Sequence, residues 1–276
     1  MTVDPTLRRR YGDEIRALGA LHGVPGAERV IRAFEAVPRE AHVGPGPWTL
    51  TSPLHGMARS RTPDADPAHL YHCVLIALDP ARGINIGEPS LWARLLSRAG
   101  PPSGARVLQV GAGSSYFTAV LAELVGPRGA VVGYETDPAL AAMAERALAE
   151  RPNVLVRAGD ATRPAASDGP FDFIVAFAGV THPVRAWAEA LAPGGTLLLP
   201  VTGASWWGAF CRFTERDGAF DVETLGGCGF YPCAGARDAA VERQVEALFQ
   251  DPSGRDGARL SGRWTDGRFL YEAPGS

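Results

Sequence analysis

The 276-residue chain has no lysine at all, and its 27 basic residues are all arginine. Without lysine it can form neither the Schiff base of pyridoxal enzymes nor the phosphate loop of common nucleotide hydrolases. The 30 acidic residues leave a net charge of −3, so the basic excess typical of nucleic-acid-binding proteins is missing too. These absences exclude two large enzyme classes and lead us to expect no nucleic-acid partner.

Cysteine and long apolar runs are also scarce. The four cysteines include no C-x-x-C pair, and the first residues show no signal-peptide pattern, so we expect a reducing, cytoplasmic location and no metal site. No apolar stretch approaches the roughly 20 residues that span a bilayer, so we expect no membrane partner. The remaining composition, with 46% hydrophobic residues, is that of an ordinary globular protein.

The first hundred residues predict a mixed region. Apolar residues recur at helical spacing in residues 7–21 and 28–37. Residues 44–67 are rich in Gly, Pro and Ser without any period, which predicts a loop or an irregular lid. A short helix is predicted over residues 68–78. We expect residues 1–100 to form an N-terminal helical and loop region that covers an active site.

From residue 106 onward, short apolar runs alternate with helical patterns, which is typical of a parallel sheet with crossover helices. The predicted strands are residues 106–110, 130–135, 154–157, 171–177 and 196–201, and the helices between them are 117–125 and 138–150. Two antiparallel hairpins are predicted after them, at 209–225 and 259–272, with a helix at 241–249. We assign residues 101–235 to one α/β domain and residues 236–276 to a C-terminal extension.

Polar and glycine residues follow three successive strands. Gly111 and Gly113 form a turn that opens a helix, where backbone N–H groups can approach a ligand beside the positive end of the helix dipole. Glu135 ends the next strand and can accept hydrogen bonds from both ribose hydroxyls, while Asp160 and Ala161 could bind an adenine ring. A turn, an exposed strand end or a helix cap explains any one of them alone. Together, at one edge of a sheet, they predict a nucleoside site.

The residue after this turn distinguishes two nucleotide cofactors. A nicotinamide dinucleotide fingerprint requires a third glycine at position 116, and this chain has Tyr116 there. A smaller ligand without a pyrophosphate is therefore favoured, and parallel strands closed by an antiparallel hairpin are typical of class I methyltransferases.

Four segments resemble protein-L-isoaspartate O-methyltransferases in order and spacing. They are RVIRAFEAVPRE at residues 29–40, the loop at 83–89, GAGSSYFTA at 111–119 and LAPGGTLLLPV at 191–201, and the resemblance covers roughly residues 26–235. The first and last of these set the family apart from other methyltransferases. The resemblance implies an α/β, Rossmann-like class I methyltransferase fold: a mostly parallel seven-stranded sheet with a C-terminal antiparallel hairpin, plus N- and C-terminal extensions.

The same resemblance implies S-adenosyl-L-methionine as the cofactor, and a loop at residues 83–90 that covers the methyl donor and receives the acceptor. The predicted cofactor-binding residues are Gly111, Ala112, Gly113, Ser115, Tyr116, Glu135, Asp160 and Ala161.

Four positions depart from the family pattern. The family carries Thr-Ile-Ser in the covering loop, with hydroxyls that meet the substrate carboxylate, and this chain has Asn85, Ile86 and Gly87. The third glycine of the motif is Ser115 here, and the acidic residue of the first strand is Gln109. These departures predict an altered substrate loop with cofactor binding retained.

Catalysis depends on the acceptor. A carboxylate is already ionised at neutral pH and needs only orientation and exclusion of water. A hydroxyl or amine acceptor would need a general base, for which we predict His182, and then Glu88 and Asp79; Asn85 could donate to an acceptor oxygen. Simpler roles stay open for these residues, namely a helix-capping histidine, an exposed glutamate and an Asx turn at Asn85.

Three functions remain as hypotheses. The first is carboxyl O-methylation of an Asp- or isoAsp-like carboxylate in a peptide or a specialised metabolite. The second is a tailoring O- or N-methyltransferase of natural-product assembly that uses a general base. The third is a cofactor-binding regulatory protein without transfer activity. The acceptor and the oligomeric state are left open, with a homodimer as one possibility.

Overall fold

The computed structural model describes residues 3–272, without the side chains of residues 252 and 253. Its helices are α1 (Pro5–Ala20), α2 (Glu28–Ala36), α3 (Pro89–Ala99), α4 (Tyr116–Val125), α5 (Pro138–Ala147), α6 (Arg185–Glu189) and α7 (Ala239–Leu248). Its strands are β1 (Thr49–Ser52), β2 (Ala58–Arg61), β3 (Leu75–Asp79), β4 (Ile84–Ile86), β5 (Arg106–Val110), β6 (Ala130–Glu135), β7 (Val154–Ala158), β8 (Phe171–Ala176), β9 (Leu191–Thr202), β10 (Trp207–Arg216), β11 (Ala219–Gly229), β12 (Asp256–Thr265) and β13 (Arg268–Glu272). No helix in this part of the chain is long and apolar enough to cross a membrane.

The chain divides into two compact units. Of the described residues, the first contains those up to Gly104 together with Ala112–Gly129 and Asp137–Ala158; the second contains Ala105–Gly111, Ala130–Thr136 and those from Gly159 onward. The units are defined by contacts between residues, and their boundaries differ from the divisions at residues 100 and 235 that the sequence suggested. The difference arises because α4, α5 and β7 belong to the same unit as the N-terminal region.

The first unit is a helical cluster with a small sheet. Helices α1, α2 and α3 pack on one another, α4 packs on α2, and Phe34, Trp92 and Phe117 are buried among them. The sheet has the order β2-β1-β3-β4, and all its pairs are antiparallel. Burial of the amphipathic faces of these helices, rather than helix propensity alone, stabilises such short helices.

The second unit holds eight strands of the large sheet, in the order β13-β12-β11-β10-β9-β8-β5-β6. The pairs among β9, β8, β5 and β6 are parallel, whereas the pairs from β9 outward to β13 are antiparallel. The sheet therefore exceeds the predicted seven strands and is less parallel than predicted. The physical reason is that the C-terminal extension adds β12 and β13 to the edge strand β11 instead of folding separately.

The second unit has one large apolar core. Its strands bring together buried residues including Ile174, Leu199 and Phe213, and helix α7 packs Val241 and Val245 onto the same cluster. This core includes Val110 at the end of β5 and Tyr134 near the end of β6, next to the predicted nucleoside-binding residues Gly111 and Glu135.

Most predicted elements of the α/β region are confirmed within a few residues, but two N-terminal predictions are wrong. The helix predicted over residues 68–78 is a short 3-10 turn, Pro67–Leu70, followed by β3. The predicted lid at 44–67 contains the hairpin of β1 and β2. Strand pairing, as between Leu50 and Ile76, is not visible in the local period of the sequence. Helix α3 was not predicted.

Candidate active site

The ends of three strands lie side by side in the second unit. The backbone N–H of Gly111 donates to the Tyr134 carbonyl at 3.0 Å, and that of Gly159 donates to the Glu135 carbonyl at 2.8 Å. On the other side, the N–H of Phe177 donates to the Val110 carbonyl at 2.8 Å. These bonds place the ends of β5, β6 and β8 and the residue after β7 at one edge, where open α/β sheets bind ligands.

Glu135 and Asp160 have different surroundings at this edge. Glu135 is only 9% exposed, whereas Asp160 is exposed. One carboxylate oxygen of Asp160 accepts the N–H of Thr162 at 2.8 Å, which fixes the side chain in a local turn. The carbonyl of buried Ala161 accepts the indole N–H of Trp187 at 2.7 Å. The simpler role predicted for Asp160 was a helix cap; the structure shows a local turn instead, which holds the carboxylate in a fixed position.

The glycine turn leaves room for a ligand. Gly111 and Gly113 have φ values of +82° and +55°, which favour glycine. A Cβ added to Gly113 would have no atom within 4 Å, and one added to Gly111 would be 3.7 Å from the Cβ of Phe177. The backbone can therefore approach a bound nucleoside closely.

Ser115, at the start of α4, adopts the left-handed conformation with φ +77°. A non-glycine residue in this region costs on the order of 1–3 kcal/mol. The Nδ1 atom of buried His42 lies 2.9 Å from Ser115 Oγ and 3.2 Å from the Ser114 carbonyl oxygen. Burial lowers the pKa of His42 to about 4, so the ring is neutral at neutral pH. Sequence reasoning missed His42, since a single histidine after the VPRE segment carries no recognisable spacing.

The side chain of Tyr116 is buried, and its predicted contact with the cofactor stays a prediction. It is 1% exposed and its hydroxyl lies 3.0 Å from the hydroxyl of Tyr11. The guanidinium of Arg39 lies 5.2 Å from its ring centre and donates to three backbone carbonyls of residues 70–74. The ring of Tyr116 therefore belongs to the core of the first unit, where Arg39 was another residue that sequence reasoning did not single out.

Three of the four predicted catalytic residues hold their own loop together. Glu88 caps α3, because its carboxylate accepts the N–H groups of Ser90 and Leu91 at 2.9 and 2.7 Å. Asp79 accepts two backbone N–H groups, of residues 81 and 82, at 3.1 and 3.2 Å. The side-chain amide of Asn85 donates to the carbonyl of residue 83 at 3.1 Å. Asn85 thus makes a contact within its own turn, as the simpler alternative for it had it, whereas the cap formed by Glu88 and the turn contacts of Asp79 were not predicted.

The fourth, His182, lies against the C-terminal extension. Its Nδ1 is 2.8 Å from the hydroxyl of Thr181, and its ring stacks on Phe269 with centres 5.9 Å apart. Burial lowers its pKa, although the negative charge of Asp238 opposes the shift. A neutral imidazole is the form that a general base needs, and this role of His182 stays a prediction.

Gly87 stands where a side chain would collide with its neighbours. A Cβ at this position would lie 2.7 Å from Nε1 of Trp92 and 3.2 Å from Cε2 of Phe117. Trp92 is fully buried, so it cannot easily move away. The packing of α3 beneath the loop therefore requires glycine here, which gives a physical reason for the missing hydroxyl.

The residues at the glycine turn fit a polar nucleoside cofactor. Among the described residues, Oε1 of Gln109 in the second unit and Oγ of Ser114 in the first are buried without a hydrogen-bond partner. A buried polar atom left without a partner costs free energy, so a ligand or water that pairs with it is favoured. Within the second unit, the amide oxygen of Gln109, the backbone at Gly111 and the acid at position 135 suit the hydroxyl and amino groups of S-adenosylmethionine.

Comparisons with known proteins show which family this chain is similar to. The family model described as Protein-L-isoaspartate(D-aspartate) O-methyltransferase (PCMT) matches residues 65–238. Protein-L-isoaspartate O-methyltransferase of Methanopyrus kandleri is 35% identical over 157 residues, which are 56% of this chain and 70% of the relative. The same-named protein of Hyperthermus butylicus is 30% identical over 221 residues, 76% of this chain and 82% of its own length.

Solved structures show the same fold. A protein-L-isoaspartate O-methyltransferase superposes with a TM-score of 0.65 at 20% identity, over 97% of this chain and 88% of the other. A structure from Plasmodium falciparum with the same family description, in complex with S-adenosyl-L-homocysteine, superposes with a TM-score of 0.61 at 17% identity, over 84% and 99% of the two chains. The predicted α/β methyltransferase fold is confirmed. Since the family model spans more than half of the sequence, the chain belongs to the protein-L-isoaspartate(D-aspartate) O-methyltransferase family.

Proposed function

We propose that the protein is an S-adenosylmethionine-dependent methyltransferase that esterifies the free carboxylate of an isoaspartyl residue in a polypeptide. The observation that carries the proposal is the hydrogen-bonded row of strand ends at Gly111, Glu135 and Gly159 in the second unit. Glu135 would bind the ribose hydroxyls, Asp160 and Ala161 the adenine, and the glycine turn the remainder of the cofactor. S-adenosylmethionine, when bound, supplies a methyl group on a positively charged sulfur.

The chemistry of a carboxylate acceptor agrees with the roles found for the loop residues. Methyl transfer forms a C–O bond as the C–S bond breaks, and an ionised carboxylate gives up no proton, so the protein need only orient the reactants and exclude water. Glu88, Asp79 and Asn85 are engaged by local backbone groups, and the loop is thereby held in one conformation. This engagement supports a carboxyl acceptor over an acceptor that requires a general base.

An exposed aromatic patch in the second unit supports a polypeptide acceptor over a small metabolite. Trp206, Trp207 and Tyr231 are 48%, 62% and 51% exposed, and the rings of Trp206 and Tyr231 lie 5.3 Å apart. The backbone carbonyl of Tyr231 accepts the N–H of Gly179 at 2.7 Å, and Gly179 lies three residues after the end of β8. Exposed aromatic groups beside a site commonly bind protein partners, and three of them could contact residues on either side of the methylated one.

Four buried thiols support the proposed cytoplasmic setting. Cys73, Cys211, Cys228 and Cys233 are all buried and unpaired by disulfides. Burial raises the pKa of each thiol, which keeps it protonated and slow to oxidise.

The test uses S-adenosylmethionine labelled in the methyl group and a synthetic isoaspartyl peptide, with the aspartyl peptide as control. We expect label on the isoaspartyl peptide that mild alkali releases as methanol. Alkali-stable label on another acceptor would support the tailoring enzyme instead. Cofactor binding without transfer to any acceptor would support the regulatory protein, and absence of binding would overturn all three.

Glu135→Ala tests the binding role directly. A hydrogen bond to a charged group contributes about 1.5–3 kcal/mol, so we expect the Kd of S-adenosylhomocysteine, measured by calorimetry, to rise at least tenfold. Glu145→Ala, on the exposed side of α5, is the matched control and should leave the Kd unchanged. Equal Kd values for the two variants would contradict the proposed role.

A further inference from the structure

The first unit contains a buried polar contact between the N-terminal region and the glycine turn. His42 ends the 3-10 turn Arg39–His42, and Ser115 precedes α4, 73 positions later in the chain. Both side chains are buried, as is Ser114. A buried hydrogen bond between such distant residues fixes the two segments to each other more firmly than an exposed one would.

The proton positions in this contact follow from the partners. The Ser114 carbonyl can only accept, so Nδ1 of His42 carries a proton and donates to that oxygen and to Ser115 Oγ. The Ser115 hydroxyl in turn donates to the Ser114 carbonyl. The network is therefore complete, with each hydrogen directed at an acceptor.

Ser115 needs such support because of its backbone. Its φ of +77° is favourable for glycine and unfavourable for serine. The residue lies at the N-terminus of α4, directly after Gly113 and Ser114, so a change in its conformation would move the N–H groups of the turn. Its side chain makes no cap to α4 itself; instead the hydroxyl is held by His42.

We propose that His42 is a positioning residue, which holds Ser115 in the left-handed conformation and thereby keeps the glycine turn in the shape that binds S-adenosylmethionine. The inference rests on the proposed function for the identity of the ligand. His42 itself is placed by its neighbours, since Arg39 donates to three carbonyls and Glu40 accepts the Tyr71 hydroxyl at 2.6 Å. The N-terminal region thus acts on the cofactor through the backbone of the turn.

The experiment is a double-mutant cycle with the full chain, read by calorimetric binding of S-adenosylhomocysteine. His42→Ala should raise the Kd about tenfold. Ser115→Ala should do the same, because alanine has the same unfavourable positive φ as serine but lacks the hydroxyl that His42 binds. Ser115→Gly should bind within twofold of wild type, because glycine needs no support at positive φ. The decisive variant is His42→Ala with Ser115→Gly, which should also bind within about threefold of wild type.

Two further variants separate positioning from simple loss of packing. His42→Asn keeps a donor near the place of Nδ1 and should restore most of the affinity lost in His42→Ala. The exposed pair of His55 and Ser52, whose Nδ1 and Oγ atoms are 2.8 Å apart, provides the matched control, and His55→Ala should leave the Kd unchanged.

The proposal is overturned if His42→Ala binds like wild type, or if Ser115→Gly fails to recover the affinity of a folded His42→Ala variant. Failure of the proposed function gives a different result, because wild type itself would then not bind S-adenosylhomocysteine. In that event the thermal midpoints of wild type, His42→Ala, Ser115→Gly and the double variant test whether His42 and Ser115 are coupled. Recovery of the midpoint in the double variant supports the His42–Ser115 coupling, and additive losses overturn it.

Discussion

The two loops that depart from the family pattern do so in opposite directions. In the glycine turn, Ser115 takes the place of a glycine, and a buried histidine holds its hydroxyl. In the covering loop, Gly87 takes the place of a serine, and the buried indole of Trp92 fills the space. Both lie in the first unit. The comparison teaches that each exchange has a local packing or hydrogen-bonding cause, so neither one by itself indicates a lost site.

The largest effect should come from restoring the family residue in the covering loop. Gly87→Ser would place a Cβ 2.7 Å from Trp92 Nε1, and overpacking of this kind costs about 1–3 kcal/mol. We expect a thermal midpoint several degrees lower, measured by calorimetry. In a Trp92→Leu background, which opens space beside the loop, the same Gly87→Ser change should lower the midpoint less than it does in wild type. If Gly87→Ser alone is as stable as wild type, packing does not explain the glycine.

The role of Glu88 in the covering loop can be tested in the same way, because it was predicted as a general base and is found as the N-cap of α3. Loss of an N-cap costs about 0.5–2 kcal/mol, so Glu88→Ala should be less stable by roughly 1 kcal/mol in urea unfolding, with kcat nearly unchanged. Glu88→Ser retains a capping oxygen and should regain stability. A fall of kcat by two orders of magnitude in both variants would instead assign Glu88 a catalytic role.

The glycine turn should show a pH dependence that the covering loop lacks. The pKa of His42 is lowered to about 4, while the unfolded chain has the ordinary value of 6.5. Between these values the unfolded state binds the proton and the folded state does not, so the free energy of unfolding falls as the pH falls through this window. Between pH 7 and 5.5 the contribution is about 1 kcal/mol.

His42→Asn removes this titration and serves as the measurement. The stability advantage of wild type over His42→Asn in urea should shrink by about 1 kcal/mol between pH 7 and 5.5. His182, whose pKa is also lowered, is unchanged in both proteins and cancels in the difference. A difference that is constant with pH would mean that His42 is not held neutral in the folded protein.

The smallest effect concerns a region outside both loops. Trp207→Ala should raise the KM for an isoaspartyl peptide severalfold, and leave kcat and the Kd of S-adenosylhomocysteine unchanged, because the exposed ring is proposed to bind the peptide and not the cofactor. Leu21→Ala, another exposed apolar residue at the end of α1, should change none of these values. An unchanged KM in Trp207→Ala would contradict the proposed role of the aromatic patch in binding the peptide.

The α/β region was predicted well because its signals are local. Strands such as β5 and β6 are continuous apolar runs, and Asp137 with Pro138 marks the start of α5 within one residue. The N-terminal region was predicted less well, since β1 and β3 are short and gain stability from cross-strand pairing. Helix α3 was missed although Glu88 and Pro89 form its cap and first turn.

The sequence by itself determined the order of the elements, the glycines of the turn and the acid at the end of β6, because backbone φ and apolar periodicity depend on neighbouring residues. It also carried the family motifs. Only the tertiary structure decided that Glu88 caps a helix, that Tyr116 is a core residue, and that His42 contacts Ser115. Contacts across 73 residues of chain depend on the path that burial of the apolar cores imposes, and no local pattern records that path.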